Sequence, residues 1–543
     1  MPETSQESNP QGTFRTSVGL VLSCVGCMVG TGNIWRFPRI LANNSGGEGC
    51  LQFLIVWLLF LFLWSIPMII VEYGLGRYTK RSTILSFSNL LGPKNAWCGA
   101  WIALVSVGIS AYYAVVLGWC FYYFIIFLYQ PLPETQDESL QMFYDFAQDS
   151  YMPVLFHAIS ILLASLSVLW SVKSIELVNS IVVPFFLILI FITFVWSLTL
   201  EYAGRGIAFM FSPDWGEFAN PRMWVDAISQ NAFDTGAAGG LFVTYATFMT
   251  ADNGVVRYGR LVPIGNNLIS LTCGMLTFST VFSTQYQAGK NETEILEILQ
   301  DNGPANTGLT FVWFPILYRQ ISGGRILALM FFFSLAMAGF SSLVAQIEML
   351  VHNVVDLGAQ RIPATIGGCC AVFLLGLGSA LNLNFLENQD FVWGFALLIS
   401  GLMLLYLVIR YGVRNYRQTL YNNYSTDDWH LGILWQLLIK FVAPVEGLVL
   451  IIWWTVDTIA TSTEKHPWYG FSPESFMATF VQWVGWLAIL FIANRLVLRY
   501  YNRGRSVDEE RTPLPKEDEL GMSHNKDESQ QQYDTFQSTE SAH

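Results

Sequence analysis

The chain has 543 residues, of which 53% are hydrophobic, 15% aromatic and only 13% charged. That composition excludes a soluble globular protein, and its long apolar windows reach the roughly 18–20 residues a helix needs to cross a bilayer. The net charge of −12 comes with no basic stripe or patch, so nothing in the sequence offers a footprint for nucleic acid.

Twelve helical spans are predicted, at 15–41, 51–76, 96–129, 153–170, 175–200, 224–252, 264–287, 324–357, 364–382, 389–410, 432–456 and 473–498. Each is read as a helix because only a helix satisfies its own backbone in lipid. Residues 1–14 are then a polar cytoplasmic tail, 15–500 the transmembrane domain, and 501–543 an acidic cytoplasmic tail. The acidic tail, with Asp508, Glu509, Glu510 and Glu517 among Gln, Ser and Pro, has the composition of a disordered segment. The first apolar run leads straight into Asn33 and Arg36, so it is expected to act as its own insertion signal. Arg77, Lys80 and Arg81 follow span 2, Lys173 follows span 4, Arg257 and Arg260 span 6, and Arg410, Arg414 and Arg417 span 10. The loop at 130–152 has five acids and no base, so the positive-inside rule puts both termini in the cytoplasm. On that topology Asn291-Glu-Thr293 is an external glycosylation triplet. The eight cysteines have no metal-ligand spacing and read as small buried hydrophobes.

Two spans break the pattern. In span 1, Gly26, Gly30 and Gly32 fall within seven residues, followed by Asn33 and then Arg36. Glycine costs about 1 kcal/mol against alanine inside a helix, and irregular backbone at membrane depth survives only where it is buried in protein or lines a cavity. Span 6 places Asp234, Gly236, Gly239 and Gly240 in mid-segment. It comes five spans after span 1, so the two run in opposite directions. One glycine-rich span would be read as a packing face. Two at matching positions, each with an intramembrane polar residue, point to an inverted-repeat transporter with a 5+5 arrangement and discontinuous helices 1 and 6.

At these residues the chain resembles the neurotransmitter:sodium symporter family, over about residues 15–500. Gly30-Thr-Gly-Asn-Ile-Trp-Arg-Phe-Pro38 matches its first-span signature almost throughout, and Pro67, Glu72, Gly76-Arg77, Tyr112-Tyr113, Trp119, Ala338-Gly-Phe-Ser-Ser342 and Asp390-Phe391 follow in the same order. The resemblance implies an all-α membrane protein that couples inward sodium flow to uptake of an amino acid or amine by alternating access. It implies a first sodium site of Asn33, the Met28 carbonyl, Asp234 and Asn266. The second would use carbonyls of Gly26, Val29 and Ala338 with the hydroxyls of Ser341 and Ser342. Unwound helices release carbonyls, and sodium, a hard cation, takes oxygen. The substrate would lie among Cys27, Met28, Gly30, Thr31, Gly32, Ile109, Tyr113, Phe233, Gly236, Gly239, Ser342 and Gln346. Amine transporters of the family carry aspartate where this chain has Gly30. A glycine there leaves room for a substrate carboxylate beside sodium, hydrogen-bonded by Tyr113, so an α-amino acid is expected. Gly236 and Gly239 remove side-chain volume, and a neutral, fairly large substrate follows.

Asp234 departs from the serine or threonine usual in the family. The chloride-site tyrosine is Phe53 here, while Gln230, Asn266 and Ser270 remain. Two sodium ions, one substrate carboxylate and one Asp234 carboxylate sum to zero, so Asp234 is expected to replace chloride as a fixed anion. Its protonation on the return step, hence proton antiport, is a corollary, and direct anchoring of a substrate ammonium by Asp234 is the rival role. Arg36 and Asp390 match the outer gate. Asp356 matches the acidic member of the inner gate, but its expected arginine aligns with Gln11 and the tryptophan with Phe14, leaving Arg15 or packing to close that side. The competing readings are a chloride-dependent amine or neurotransmitter-type symporter and a non-transporting amino-acid receptor on the same fold. A channel would need a pore loop or charged ring, and an enzyme a nucleophile–base pair or metal cluster in the spans.

Overall fold

The computed structural model describes residues 12–301, 303–462 and 467–511, the last eleven by backbone alone. The described residues up to 492 form one compact unit, and those from 493 to 511, a helix, belong to a second. Gln11 and the tail beyond residue 511 lie outside the described residues. Among the described residues every regular element is helical. Nine helices among the described residues are long and apolar enough to cross a membrane, and two bent pairs bring the number to eleven if each is one crossing. This is an integral membrane protein.

Spans 3 and 8 are straight helices at Ala96–Tyr129 and Gly324–Asp356, packed along one another. Span 7 starts earlier than the predicted residue 264, because the Val255–Gln287 helix carries Pro263 inside it instead of beginning after it. A proline costs about 3 kcal/mol in an exposed helix, but in a membrane domain neighbouring groups take up the freed carbonyl. The predicted outer loops are partly helical: Gln136–Ala147 fills 130–152, and Glu292–Gln300 opens the long loop after span 7. Asn291 caps the latter helix, its Oδ1 accepting from the Glu294 N–H at 3.0 Å. All eight thiols are free and all but Cys370 are buried.

Span 1 is two helices. Ser17–Met28 ends at Val29, whose backbone is extended, and the chain restarts through a wide turn at Gly32–Arg36 into Phe37–Asn43, with a bend of 49°. The start of the first half is held by a residue the sequence did not mark. Glu176 accepts hydrogen bonds from the Arg15 N–H at 2.9 Å, the Thr16 N–H at 3.0 Å and the Thr16 hydroxyl at 3.0 Å. A carboxylate at a helix N-terminus meets both its unpaired donors and its dipole.

Span 6 is Pro221–Thr235 and Leu241–Thr247. Between them Gly236 (φ 64°), Ala238 (φ 69°) and Gly240 (φ 77°) all sit in the left-handed region. Glycine accepts that geometry freely, and Ala238 holds it at a cost of about 1–2 kcal/mol. The second half starts against Glu72 of span 2, fully buried, whose Oε2 accepts from the Phe242 N–H at 3.2 Å. The first half is pinned to span 2 through Asn231, which donates to the Trp57 carbonyl at 2.9 Å and accepts from Ser65 at 2.6 Å. Both breaks are therefore built, one by glycines and an extended residue, the other by left-handed residues and a buried carboxylate.

Candidate functional site

The breaks in spans 1 and 6 meet over one buried network. Asn33 closes its own break, its Oδ1 accepting from the Gly30 N–H at 2.8 Å. Its Nδ2 donates to Asn266 at 2.9 Å and to Ser270 at 2.7 Å, both on span 7. Ser270 donates in turn to Asp234 Oδ2 at 3.2 Å, and Gln230 donates to Asp234 Oδ1 at 2.6 Å. Asn33, Gln230, Asp234, Asn266 and Ser270 thus lie in one hydrogen-bonded chain, all 1% exposed or less. Phe53, without a hydroxyl to join it, is fully buried on the helix of span 2 that packs against Pro221–Thr235.

Beside this network is a cavity of about 50 Å³. Cys27, Met28, Gly30, Gly32, Ile109, Tyr113, Phe233, Gly236, Gly239, Ser342 and Gln346 line it, joined by Asn33, Asp234, Ser106, Leu241 and Leu397. Thr31 is the one predicted lining residue that the cavity does not touch. Its N–H donates to the Tyr113 hydroxyl at 3.1 Å, while its methyl lies 2.9 Å from where a side chain on Gly339 would start, so the residue faces span 8. Ser106 and Leu397 carried no motif, and only the packing of spans 3 and 10 brings them in. The need for glycine at position 30 is steric: a Cβ there would stand 2.6 Å from the Tyr113 hydroxyl and 2.7 Å from Ser342 Oγ.

On the other side of the first break the Ser342 hydroxyl lies 3.2 Å from the Gly26 carbonyl oxygen and 3.3 Å from that of Val29. Ser341 donates to the Ala338 carbonyl at 2.9 Å. Ser342 therefore joins spans 1 and 8 at two of the carbonyls expected at the second sodium position, while Ser341 and the Ala338 carbonyl pair within span 8. All are neutral oxygens, the donor type a hard cation takes.

Arg36 and Asp390 both line a wider vestibule of about 410 Å³, and no ion pair within 4.0 Å joins them among the described residues. Arg36 instead donates to Gln230 Oε1 at 3.1 Å and stands 4.6 Å over the Phe233 ring. Gln230 therefore connects the vestibule arginine to Asp234. Asp356 has a partner that sequence reasoning did not name. Arg81, in the turn after span 2, binds its Oδ1 at 2.9 Å, and the Ser82 N–H donates to Oδ2 at 2.7 Å. Arg15 is exposed and its side chain makes no ion pair among the described residues, and Phe14 packs edge-on against Tyr245 and Phe248. Arg81 is 51% exposed, so the ion pair itself is worth about 0.2–1 kcal/mol. Replacing Asp356 by alanine also removes the acceptor at the Thr83–Leu91 helix start, worth about 1 kcal/mol more. Thermal unfolding of the purified variants should rank D356A clearly below R81A.

Comparison with known proteins agrees with this geometry. The model of the sodium:neurotransmitter symporter family matches residues 11–144 and 143–502. An uncharacterized sodium-dependent transporter of Methanocaldococcus jannaschii is 28% identical over 470 residues, covering 83% of this chain and 91% of that protein. A sodium- and chloride-dependent GABA transporter of Drosophila melanogaster is 27% identical over 392 residues, 65% of this chain and 40% of its own length. The crystal structure of MhsT in complex with L-phenylalanine has a TM-score of 0.70 at 25% identity, covering 81% of this chain and 99% of that one. With the family match running from the first broken span to the last helix, the chain belongs to the sodium:neurotransmitter symporter family.

Proposed function

We propose that the protein takes up a neutral, fairly large amino acid with two sodium ions, by alternating access, and without chloride. The observation that carries the last point is the placement of Asp234. Its carboxylate borders the cavity, is 1% exposed, and has both oxygens held by Gln230 and Ser270. A negative charge fixed there does the work that a bound anion would do. The engagement of both oxygens also favours this role over capture of a substrate ammonium. The two sodium ions are assigned to Asn33, Asp234, Asn266 and the Met28 carbonyl, and to Ser341, Ser342 and the carbonyls of Gly26, Val29 and Ala338. The substrate carboxylate is assigned to the Gly30–Tyr113 corner, where the Cβ of any other residue would collide with the Tyr113 hydroxyl. The α-amino acid reading gains support from the L-phenylalanine that MhsT holds in its own structure.

In this reading twelve spans form two inverted five-helix repeats followed by two further helices, with both termini in the cytoplasm and the protein in the plasma membrane. Arg36 and Asp390 close the outer side, and Asp356 with Arg81 the inner. Proton release and uptake by Asp234 would accompany the empty return step. The test is uptake of radiolabelled neutral amino acids into vesicles reconstituted with the full chain. An inward sodium gradient should drive accumulation, and potassium in its place should not. Sodium-dependent binding without accumulation would instead make the protein a receptor.

A further inference from the structure

We infer that Gln346 makes the cavity selective for amino acids whose side chain carries a hydrogen-bonding group, such as a hydroxyl or carboxamide, over apolar side chains of matched size. The inference rests on the amino-acid reading above. Gln346 is 7% exposed and lies one helical turn beyond Ser342, on the same face of the Gly324–Asp356 helix. With the substrate carboxylate assigned to the Gly30–Tyr113 corner, which Ser342 also borders, Gln346 stands one turn further along the same cavity wall, placed to meet the substrate side chain.

The other nitrogen- and oxygen-bearing side chains on the cavity wall already have partners. Asn33 is held by Asn266 and Ser270, and Asp234 by Gln230 and Ser270. Ser106 donates to the Gly239 carbonyl, Tyr113 accepts from the Thr31 N–H, and Ser342 bridges to span 1. Gln346 makes no hydrogen bond among the described residues, and its Oε1 is sealed from water without an acceptor's partner. Ile109, Leu241, Leu397 and Met28, which line the same cavity, carry no side-chain donor for it.

A buried amide without a partner is destabilising, and more so in apolar surroundings, so the group that meets it gains what the empty site lacks. An apolar side chain of the same size covers the amide and leaves it unpaired, which is how a polar pocket rejects the analogue that lacks the matching group. The terminal torsion of glutamine is soft, so either end of the amide can turn to the substrate. A residue kept only to fill space would have been served as well by leucine or methionine.

The test uses the full chain in vesicles under a sodium gradient and compares KM within two size-matched pairs, tyrosine with phenylalanine and glutamine with methionine. In the wild type the polar member should be favoured by about tenfold or more, equivalent to about 1.4 kcal/mol. Gln346→Met and Gln346→Leu should bring the ratio toward one or below, with a lower KM for phenylalanine and methionine than in the wild type. That gain also shows that the variants are folded. Equal KM within both wild-type pairs, or the wild-type ratio surviving in both variants, overturns the inference while the transport reading stands. Absence of sodium-driven uptake for every amino acid overturns both.

Discussion

Replacing Asp234 by asparagine is expected to lower sodium-driven uptake by roughly two to three powers of ten, with most of the loss in the sodium dependence. The substitution keeps the size and the contacts with Gln230 and Ser270, which can turn to suit an amide. What it removes is a charge at a site that is 1% exposed. Stripping one partner from a buried charge set costs about 3–5 kcal/mol, because the remaining charge is left uncompensated. Aspartate-to-serine at the same position should do something different in kind. It restores the residue type usual in the family and should make uptake depend on added chloride, more strongly when Phe53 is also changed to tyrosine. Uptake measured against sodium concentration, with and without chloride, separates the two variants. Unchanged sodium dependence in D234N would remove Asp234 from the charge balance.

The second large effect is expected at Gly30. An alanine there places its Cβ 2.6 Å from the Tyr113 hydroxyl and 2.7 Å from Ser342 Oγ, both inside van der Waals contact. Tyr113 is fixed by the Thr31 N–H, and Ser342 by two carbonyls of span 1, so neither side chain is free to yield. Overpacking of this kind costs about 1–3 kcal/mol, and here the cost falls on the corner assigned to the substrate carboxylate. Gly30→Ala should therefore raise KM by about ten- to a hundredfold, and Gly30→Asp should abolish amino-acid uptake. Equilibrium binding of labelled substrate to the purified variants checks this without relying on turnover. A Gly30→Ala variant with wild-type affinity would move the carboxylate elsewhere.

The parts of this protein legible in its sequence are those set by local composition. Glycine in mid-span announced both breaks, and the limits of Ala96–Tyr129 follow directly from a polar start and a polar end. The motif residues predicted around the breaks lie together in space, with Thr31 turned to span 8 as the exception. What the sequence hid depends on tertiary partners. Arg81 sits in an ordinary basic loop after span 2, and nothing local marks it as the partner of Asp356, 275 residues away. Glu176 carries no motif, and Glu72, though a motif residue, shows no role until the helix N-termini that the two hold are seen. Span 7 begins at Val255 and not at the predicted 264, with Pro263 inside the helix, where neighbours in a membrane domain can satisfy the freed backbone. Ala238 is the least predictable element, since a left-handed alanine is held by the surrounding fold and not by its own preference.

The claim on which the rest depends is that the anion of this transporter is built in. It is tested most directly by measuring amino-acid uptake into reconstituted vesicles at constant sodium, with chloride replaced by gluconate on both sides of the membrane. A fixed Asp234 carboxylate predicts the same rate and the same sodium dependence in the two salts. Uptake that stops in gluconate and returns with chloride would contradict it, and would place a mobile anion where Asp234 now stands alone.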